Sequence, residues 1–339
     1  MIGVGVIGYG YWGPNILRNF VEAINCSVLK LADLSQAPLA RAQSRYPGLP
    51  VTTDPRDIFT DSKIDAVAIM TPVDTHFDLA MQALSSNKHV LLAKPMTSTA
   101  EQAHLLIEEA AKRQLILMVD HTFIYTDAVR KSRELVEKKE LGEVLYYDAV
   151  RVNLGLFQHD VDVIWDLAPH DISIFDFVIG VEPVAVSATG ISHVHGKPEN
   201  TAFLSLLFDQ PLIGHIHVNW LAPVKVRKTL IGGSKKMIVY DDLEPSEKIK
   251  VYDKGITVTN DPQQRHDMLV GYRSGDMWAP QLDTAEALRS EIAHFLSCIA
   301  EKKTPQTSGE AGSRVVKILE AASKSMRQQG VPVPLKRNI

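Results

Sequence analysis

The sequence predicts an α/β domain followed by an α+β domain whose sheet is mostly antiparallel and open on one face. Three observations lead to this prediction. The first 120 residues alternate short β-branched runs with amphipathic stretches, the pattern of a parallel sheet covered by helices. After about residue 121, strands follow one another with few helices between them, as in antiparallel sheets. At 339 residues, the chain is also long enough for two hydrophobic cores.

In the first half, hydrophobic periods of two and of about 3.6 residues assign strands and helices in alternation. The predicted strands are residues 4–7, 28–32, 66–70, 90–93 and 116–119. The predicted helices are residues 14–21, 39–45, 75–84 and 99–113. Ser98 and Glu101 have the spacing of a capping box, which supports the start of the last of these helices.

The second half begins with one helix and continues with a series of strands. The helix covers residues 127–138, and a structured loop is expected over residues 259–281. The predicted strands are 144–152, 185–189, 203–208, 213–220, 228–231, 237–240 and 249–252, and the closing helices are 284–300 and 310–328. We therefore expect a nucleotide-binding domain over residues 1–121 and a substrate-binding and oligomerisation domain over residues 122–339.

The most informative motif is a glycine loop after the first predicted strand. Gly8, Gly10 and Gly13 have the spacing of a dinucleotide-binding turn: the first glycine makes the turn, the second lets the backbone approach a pyrophosphate, and the third permits helix–strand contact. Pro14 suits the first turn of the following helix. Asp33 ends the second strand, where a carboxylate binds the adenosine ribose and repels a 2′-phosphate. The sequence therefore predicts a Rossmann domain that binds NAD rather than NADP.

Composition and charge exclude several classes of function. The chain has 45% hydrophobic and 22% charged residues and a net charge of −4, so no basic field is available for nucleic acid or an anionic membrane. No apolar run is long enough to span a bilayer. The two cysteines, Cys26 and Cys298, form no cluster in the sequence, which is typical of a reducing compartment. We expect a cytoplasmic protein.

Two histidine pairs have the spacing of metal ligands on an extended segment. They are His193 with His195 and His215 with His217. No third ligand lies near either pair in the sequence, and hydride transfer to NAD needs no metal. We therefore predict no metal ion and expect these histidines on a polar strand face or at a subunit contact.

Four motifs follow one another along the chain: the glycine loop, Thr71-Pro72-x-x-x-His76, Lys94-Pro95 and Asp166-x-x-x-His170. In this combination the chain resembles the Gfo/Idh/MocA oxidoreductases over essentially its whole length. The resemblance implies an NAD-dependent dehydrogenase, a final helix at about 310–328 that packs back on the first domain, and a homodimer or homotetramer formed through the second sheet. The family usually has a glutamate before its Lys-Pro pair, whereas this chain has Ala93.

Within that family, residues 151–160 and 164–171 resemble bacterial dehydrogenases that oxidise the 3-hydroxyl of UDP-N-acetylglucosamine or its uronic acid. The resemblance implies a sugar-nucleotide substrate and a 3-keto product used in cell-surface polysaccharide or lipid A synthesis. Residue spacing by itself does not indicate a UDP sugar. A dehydrogenase of a free sugar or cyclitol, and a non-catalytic NAD-binding sensor, are the alternative functions.

Lys94, Asp166 and His170 form the predicted catalytic group. Oxidation of a secondary alcohol needs a base for the hydroxyl proton, and histidine suits this exchange near neutral pH. Lys94 follows a predicted parallel strand, at the edge where open α/β sheets bind ligands, and a lysine there stabilises alkoxide charge. Asp166 lies four residues before His170, so a helix or tight turn places both on one face. We predict His170 as the base, Lys94 as the polarising donor and Asp166 as the partner of the sugar or the histidine.

Further residues are assigned to the cofactor by the resemblance. Thr71, Pro72 and His76 follow a predicted strand and are expected to line the cofactor site, although Thr75 also suits a helix N-cap at this point. The full set of predicted cofactor contacts is Gly8, Gly10, Tyr11, Trp12, Gly13, Asp33, Thr71, Pro72, His76, Lys94 and Pro95.

The predicted substrate contacts include a strand before the Asp166 motif. Arg151 and Asn153 alternate onto one face of that strand, and arginine offers a planar fork for a diphosphate. The same pattern fits a solvated sheet face with an ordinary charge. Asp160 and Asp162 are expected to face solvent or form turns. The full set of predicted substrate contacts is Lys94, Arg151, Asn153, Asp166 and His170.

Overall fold

The computed structural model describes residues 1–155, 161–258 and 270–335. The chain folds into two compact units. The first comprises Met1–Thr126 and Ala285–Lys317, and the second comprises Asp127–Thr284 and Ile318–Ile339. The boundary expected after residue 121 thus falls a few residues before the end of the first segment, and residues 285–317 cluster with that segment.

The first unit contains a parallel sheet of six strands in the order β3-β2-β1-β4-β5-β6. The strands are β1 (Ile2–Ile7), β2 (Cys26–Ala32), β3 (Val51–Thr52), β4 (Ala66–Ile69), β5 (His89–Leu92) and β6 (Leu117–Val119). The helices between them are α1 (Gly13–Glu22), α2 (Gln36–Arg45), α3 (Arg56–Phe59), α4 (Val73–Ser85) and α5 (Ala100–Arg113), and a 3-10 turn (Thr122–Tyr125) follows β6. This strand order is that of a Rossmann domain and confirms the predicted fold class.

Every strand and helix predicted for this unit is present, with ends that differ by a few residues. Neither β3 nor α3 was predicted, because such short elements are below the length at which a period can be recognised. The cap of α5 also differs from the prediction. The side chain of Thr99, rather than that of Ser98, accepts the N–H of Gln102 at 3.2 Å.

The second unit contains a mixed, mostly antiparallel sheet in the order β16-β13-β12-β11-β7-β10-β9-β8-β17, in which only the β7–β10 pair among the described strands is parallel. In chain order its elements begin with α6 (Asp127–Glu137), β7 (Val144–Leu154), α7 (Val163–Ile179), β8 (Ala185–Ile191), β9 (Thr201–Leu207), β10 (Ile213–Asn219) and β11 (Leu221–Gly233). They continue with β12 (Met237–Asp241), β13 (Ile249–Tyr252), β14 (Gly255–Val258), β15 (Val270–Arg273) and β16 (Met277–Trp278). The last elements of the chain are α8 (Ala287–Glu301), α9 (Gly309–Arg327) and β17 (Val333–Pro334). Of these, α8 belongs to the first unit, and β17 belongs to the second.

Several features of the second unit differ from the prediction, among them the short strands β14 and β17, which were not predicted. The segment expected to be a loop, residues 259–281, contains β15 and β16 in its described part. The helix α7 was not predicted, and it packs against β7, β9 and β10. Strands β14 and β15 pair as a separate antiparallel two-stranded sheet. No helix among the described residues has the length and apolar character needed to cross a membrane.

A buried ion pair joins β7 to α7. The guanidinium of Arg151 contacts the carboxylate of Asp171 through two hydrogen bonds, Nε to Oδ2 at 2.7 Å and Nη2 to Oδ1 at 3.0 Å. Both residues are buried, and the hydroxyl of Tyr147 donates to the backbone carbonyl of Asp171 at 3.0 Å. Tyr147 and Arg151 share the face of β7 that α7 covers, because alternate residues of a strand point the same way. The prediction that Arg151 offers its fork to a diphosphate is therefore wrong: the fork is directed into the core.

We predict that Arg151→Ala lowers the free energy of unfolding by about 3–5 kcal/mol, because it leaves the buried carboxylate of Asp171 without its partner. Urea unfolding of the purified protein measures this change. The control is Arg56→Ala, which removes an exposed ion pair with Asp54 and is expected to leave the stability nearly unchanged. An Arg151→Ala variant of normal stability but weakened sugar-nucleotide binding would instead support the diphosphate contact.

Candidate active site

The glycines between β1 and α1 have three different structural roles. Gly8 has a φ of +94°, and a Cβ on it would lie 2.5 Å from the carbonyl oxygen of Met70. A Cβ on Gly13 would lie 2.2 Å from the carbonyl oxygen of Gly8. Around the corresponding position on Gly10, no described atom lies within 4 Å. The loop is thus closed by Gly8 and Gly13 and open at Gly10, as required where a backbone approaches a pyrophosphate.

Asp33 lies at the carboxyl end of β2, next to the glycine loop. Its Oδ2 accepts the backbone N–H of Tyr9 at 2.7 Å, and its Oδ1 accepts that of Ser35 at 2.9 Å. These two bonds fix the carboxylate beside the loop. Each oxygen has a further lone pair, so the side chain can also accept the hydroxyls of an adenosine ribose. The geometry of the loop and of Asp33 fits NAD.

His76 connects the loop after β4 to the loop after β5. Its ring is buried, with Nδ1 2.9 Å from the carbonyl oxygen of Pro95 and Nε2 2.8 Å from that of Thr71. Burial lowers the pKa of this histidine. The neutral imidazole has one N–H, so one ring nitrogen donates to one of these carbonyl oxygens and the other packs against the second. The buried ring contradicts the prediction that His76 itself lines the cofactor site. Its effect on the site is indirect, because it holds together the two loops that contain Thr71-Pro72 and Lys94-Pro95.

Lys94 and His121 follow the neighbouring strands β5 and β6. Lys94 is half-buried, and His121 is buried. Burial, and then the charge of Lys94, lower the pKa of His121 to about 3. His121 is therefore a neutral imidazole at physiological pH, and Lys94 provides the positive charge at this edge of the sheet. Alanine at position 93 is half-buried beside it.

The helix α7 contains Asp166 and His170, and the four-residue spacing places them on one face. Pro169 lies inside the helix between them. The indole N–H of Trp220 donates to Oδ2 of Asp166 at 3.0 Å. Trp220 is buried, so this aromatic residue belongs to the core and orients Asp166. Asp162 caps α7 by accepting the N–H of Trp165 at 3.0 Å.

The sequence also singles out Asn153, Asp160 and the two histidine pairs. Asn153 is half-buried on β7, and Asp160 lies outside the described residues. In the histidine pairs, Nδ1 of His193 lies 2.8 Å from Asn200, and Nδ1 of His215 lies 2.9 Å from Asp148. Within the described part of the chain, no group of three or more His, Cys, Asp and Glu side chains is arranged to hold a metal ion.

Family comparisons bear on both units. Residues 2–121 match the family described as "Oxidoreductase family, NAD-binding Rossmann fold", and residues 129–239 match the "GFO/IDH/MocA C-terminal domain". The chain belongs to the Gfo/Idh/MocA oxidoreductase family. This membership confirms the predicted NAD cofactor and the predicted dehydrogenase class.

Relatives within the Gfo/Idh/MocA family differ in substrate. A UDP-N-acetylglucosamine 3-dehydrogenase of Acidithiobacillus ferrooxidans is 28% identical over 317 residues, covering 92% of this chain and 93% of that enzyme. The scyllo-inositol 2-dehydrogenase (NAD(+)) of Bacillus subtilis is 22% identical over 99% of this chain and 95% of that enzyme. The structure of a levoglucosan dehydrogenase in complex with NADH and levoglucosan superposes with a TM-score of 0.82 and 21% sequence identity. The match covers 99% of this chain and 100% of the chain of that enzyme.

A buried cluster beside the Gfo/Idh/MocA glycine loop was missed in the sequence. The indole N–H of Trp12 donates to Oδ2 of Asp120 at 2.6 Å, and the hydroxyl of Thr122 donates to Oδ1. Glu291, which is fully buried on α8, faces Asp120. A signal existed, since Glu291 interrupts the apolar stripe of the predicted helix 284–300 at a position three residues after Leu288.

We predict that alanine substitutions separate two roles within the glycine loop. Gly13→Ala is expected to destabilise the fold by about 1–3 kcal/mol, because its methyl group collides with backbone. Gly10→Ala is expected to keep wild-type thermal stability but to bind NADH at least about tenfold more weakly, because its methyl group enters the space of the pyrophosphate. Thermal unfolding without cofactor and fluorescence titration with NADH provide the two measurements. Wild-type NADH affinity in Gly10→Ala would contradict this placement of the cofactor.

We predict that Glu291→Gln gains stability relative to the wild type as the pH rises. Burial, and then the nearby Asp120, raise the pKa of Glu291 well above its ordinary value. The folded chain therefore holds a proton that the unfolded chain loses above about pH 4.3, so the wild type loses up to about 1.4 kcal/mol of stability per pH unit from this group. Glutamine does not titrate and escapes this loss.

Urea unfolding of both proteins between about pH 5 and about pH 8 measures the difference. Glu101→Gln, at an exposed position on α5, is the matched control and is expected to show no such trend. A difference between Glu291→Gln and the wild type that is constant with pH would show that Glu291 is ionised in the folded protein.

Proposed function

We propose that this chain oxidises the 3-hydroxyl of a sugar nucleotide such as UDP-N-acetylglucosamine with NAD, giving a 3-keto sugar for cell-surface polysaccharide or lipid A synthesis. The observation that carries the proposal is α7, where Asp166 and His170 share one face in a chain whose other unit is an NAD-binding domain. The substrate class is supported by the relative that acts on UDP-N-acetylglucosamine, which this chain matches over 93% of that enzyme's length.

The proposed mechanism assigns one role to each of three side chains. His170 accepts the proton of the 3-hydroxyl as the C3–O bond becomes a carbonyl. The ammonium of Lys94 donates a hydrogen bond to the same oxygen and stabilises its developing negative charge. Asp166 binds the sugar and is held in a fixed orientation by the indole of Trp220. Bound NAD would supply the acceptor for the hydride of C3, so that the oxidation balances as one hydride and one proton.

The neutral state of His121 supports this division of roles. A histidine with a pKa of about 3 is too weak a base to take the hydroxyl proton near neutral pH. It also adds no second positive charge beside Lys94. His170 is therefore the better candidate for the base, and Lys94 for the polarising donor.

One observation favours a second candidate function, the oxidation of a free sugar or cyclitol. Arg151 was the residue proposed to bind a diphosphate, and its guanidinium is buried against Asp171. Relatives of this chain also include inositol dehydrogenases. A cyclitol has no diphosphate and needs no such arginine.

Self-association through the open face of the second sheet also belongs to this proposal. Phe203 and Ile213, on β9 and β10, are exposed apolar side chains of that sheet. Such exposed apolar residues on a sheet face favour association. We propose a homodimer or homotetramer in the cytoplasm.

NADH formation across a panel of substrates tests the proposed function. The panel contains UDP-N-acetylglucosamine, its uronic acid, free N-acetylglucosamine, myo-inositol and scyllo-inositol. We expect the UDP sugars to give a kcat/KM at least about 100-fold above that of the others, equivalent to about 2.7 kcal/mol of transition-state binding. Turnover of the cyclitols alone would favour the second candidate.

We predict that Lys94→Ala and His170→Asn each lower kcat by about 10²–10⁴-fold, the range for loss of a positioned proton-transfer or oxyanion-stabilising group. NADH absorbance under saturating substrate measures the change. The matched controls are Lys112→Ala and His104→Asn, which replace exposed side chains on α5 and are expected to retain full activity. Full activity in either site variant would remove that residue from the mechanism.

A further inference from the structure

The side chain of Trp12 leaves the glycine loop and reaches the end of a distant strand. Trp12 follows β1, whereas its hydrogen-bond acceptor Asp120 follows β6, and two strands separate β1 from β6 in the sheet. Asp33, the ribose-binding candidate, lies after β2 on the opposite side of β1. The indole therefore extends away from the adenosine half of the crevice, toward the half that receives the nicotinamide.

Asp120 is the centre of the contacts that hold this indole. It is almost fully buried, and it accepts the indole N–H of Trp12 and the hydroxyl of Thr122 on different oxygens. Trp12 itself is only half-buried, so the rest of its ring is accessible beside the loop. A hydrogen bond between indole and carboxylate is charge-assisted and is stronger than a bond between neutral groups. It determines the orientation of the ring.

Glu291 lies behind Asp120 with no exposed surface. The carboxyl of Asp120 faces that of Glu291. The hydroxyl of Thr122 and the backbone N–H of His121 lie on the same side. Burial, and then the nearby Asp120, raise the pKa of Glu291 well above its ordinary value, so its carboxyl favours the protonated form. A protonated carboxyl is a hydrogen-bond donor, and Asp120 is the acceptor beside it.

We propose that Glu291 is a positioning residue for the cofactor: its buried carboxyl packs behind Asp120 and keeps it in place, and Asp120 holds the indole of Trp12 at the nicotinamide half of the site. This inference rests on the NAD-dependent function proposed above and extends it to α8, a helix far from the glycine loop in sequence. Glu291 acts through Asp120 and Trp12 and has no proposed contact with the cofactor.

A double-mutant cycle on NADH binding tests this chain of contacts. The variants are Glu291→Leu, which removes the proton donor but keeps the volume, Trp12→Phe, which removes the indole N–H but keeps an aromatic ring, and the combination of the two. Each single variant is expected to weaken NADH binding about five- to tenfold, about 1–1.4 kcal/mol. The double variant is expected to bind no more weakly than the weaker single variant, because both substitutions break the same chain.

Glu291→Gln provides the rescue, since its amide N–H₂ replaces the carboxyl proton as a donor to Asp120. We expect it to bind NADH within about twofold of the wild type, a difference of about 0.4 kcal/mol. Ile292→Val, the next residue in the same buried stripe of α8, controls for a general loosening of the helix and is expected to leave NADH binding unchanged.

Three results would overturn the proposal: unchanged NADH affinity in Glu291→Leu, multiplicative losses in the double variant, or a Glu291→Gln variant as weak as Glu291→Leu. These titrations need no sugar, so an incorrect substrate assignment does not affect them. A wild-type chain that binds no NADH would overturn the proposed function and this inference together, and it is recognised from the first titration.

Discussion

Burial of the six-stranded parallel sheet on both faces determines where the first unit can place polar groups. All four residues of β4 are buried and apolar, and β5 is buried beyond its first residue. A polar side chain inside such a strand would lose its hydration without gaining a partner. The functional groups therefore follow the strands: the glycine loop after β1, Asp33 after β2, Thr71 after β4, Lys94 after β5 and Asp120 after β6. Because parallel strands all end at the same edge, the cofactor site is a direct consequence of the sheet.

In the second unit, the main constraint is that the helix α7 must be held in a fixed position on the sheet. The helix α7 presents Asp166 and His170, and its position on β7 depends on a buried pair between Asp171 and Arg151. Such a pair requires good geometry to offset the desolvation of both charges, and the two hydrogen bonds between guanidinium and carboxylate provide it. The contact between Trp220 and Asp166 then orients the functional side chain itself. A charge that the sequence offered as a diphosphate contact thus contributes to the core that positions α7.

Buried titratable groups in the first unit divide into those that hold the backbone and those that hold a side chain. His76 contacts two backbone carbonyl groups and connects the loops after β4 and β5. Asp120, with Glu291 behind it, contacts the indole of Trp12. His121 is neutral and adds no charge beside Lys94. Alanine occupies position 93, where the family usually has glutamate.

The sequence by itself determined most elements of the first unit and the glycine loop with Asp33, because each depends on residues close together in the chain. It also predicted that Asp166 and His170 share a face if the segment between them is a helix or a tight turn, and α7 is the helix that the tertiary structure supplies. Local spacing also predicted most strands of the second sheet. It did not reveal the partners of polar side chains. The pattern around Arg151 fitted a diphosphate contact or a solvated face, whereas Arg151 is a core cation. The contact between Trp220 and Asp166 and the buried position of Glu291 were not predicted. Only the tertiary structure decided these cases, because the partner that compensates a buried charge or N–H group lies on another element, at a separation that no local period encodes.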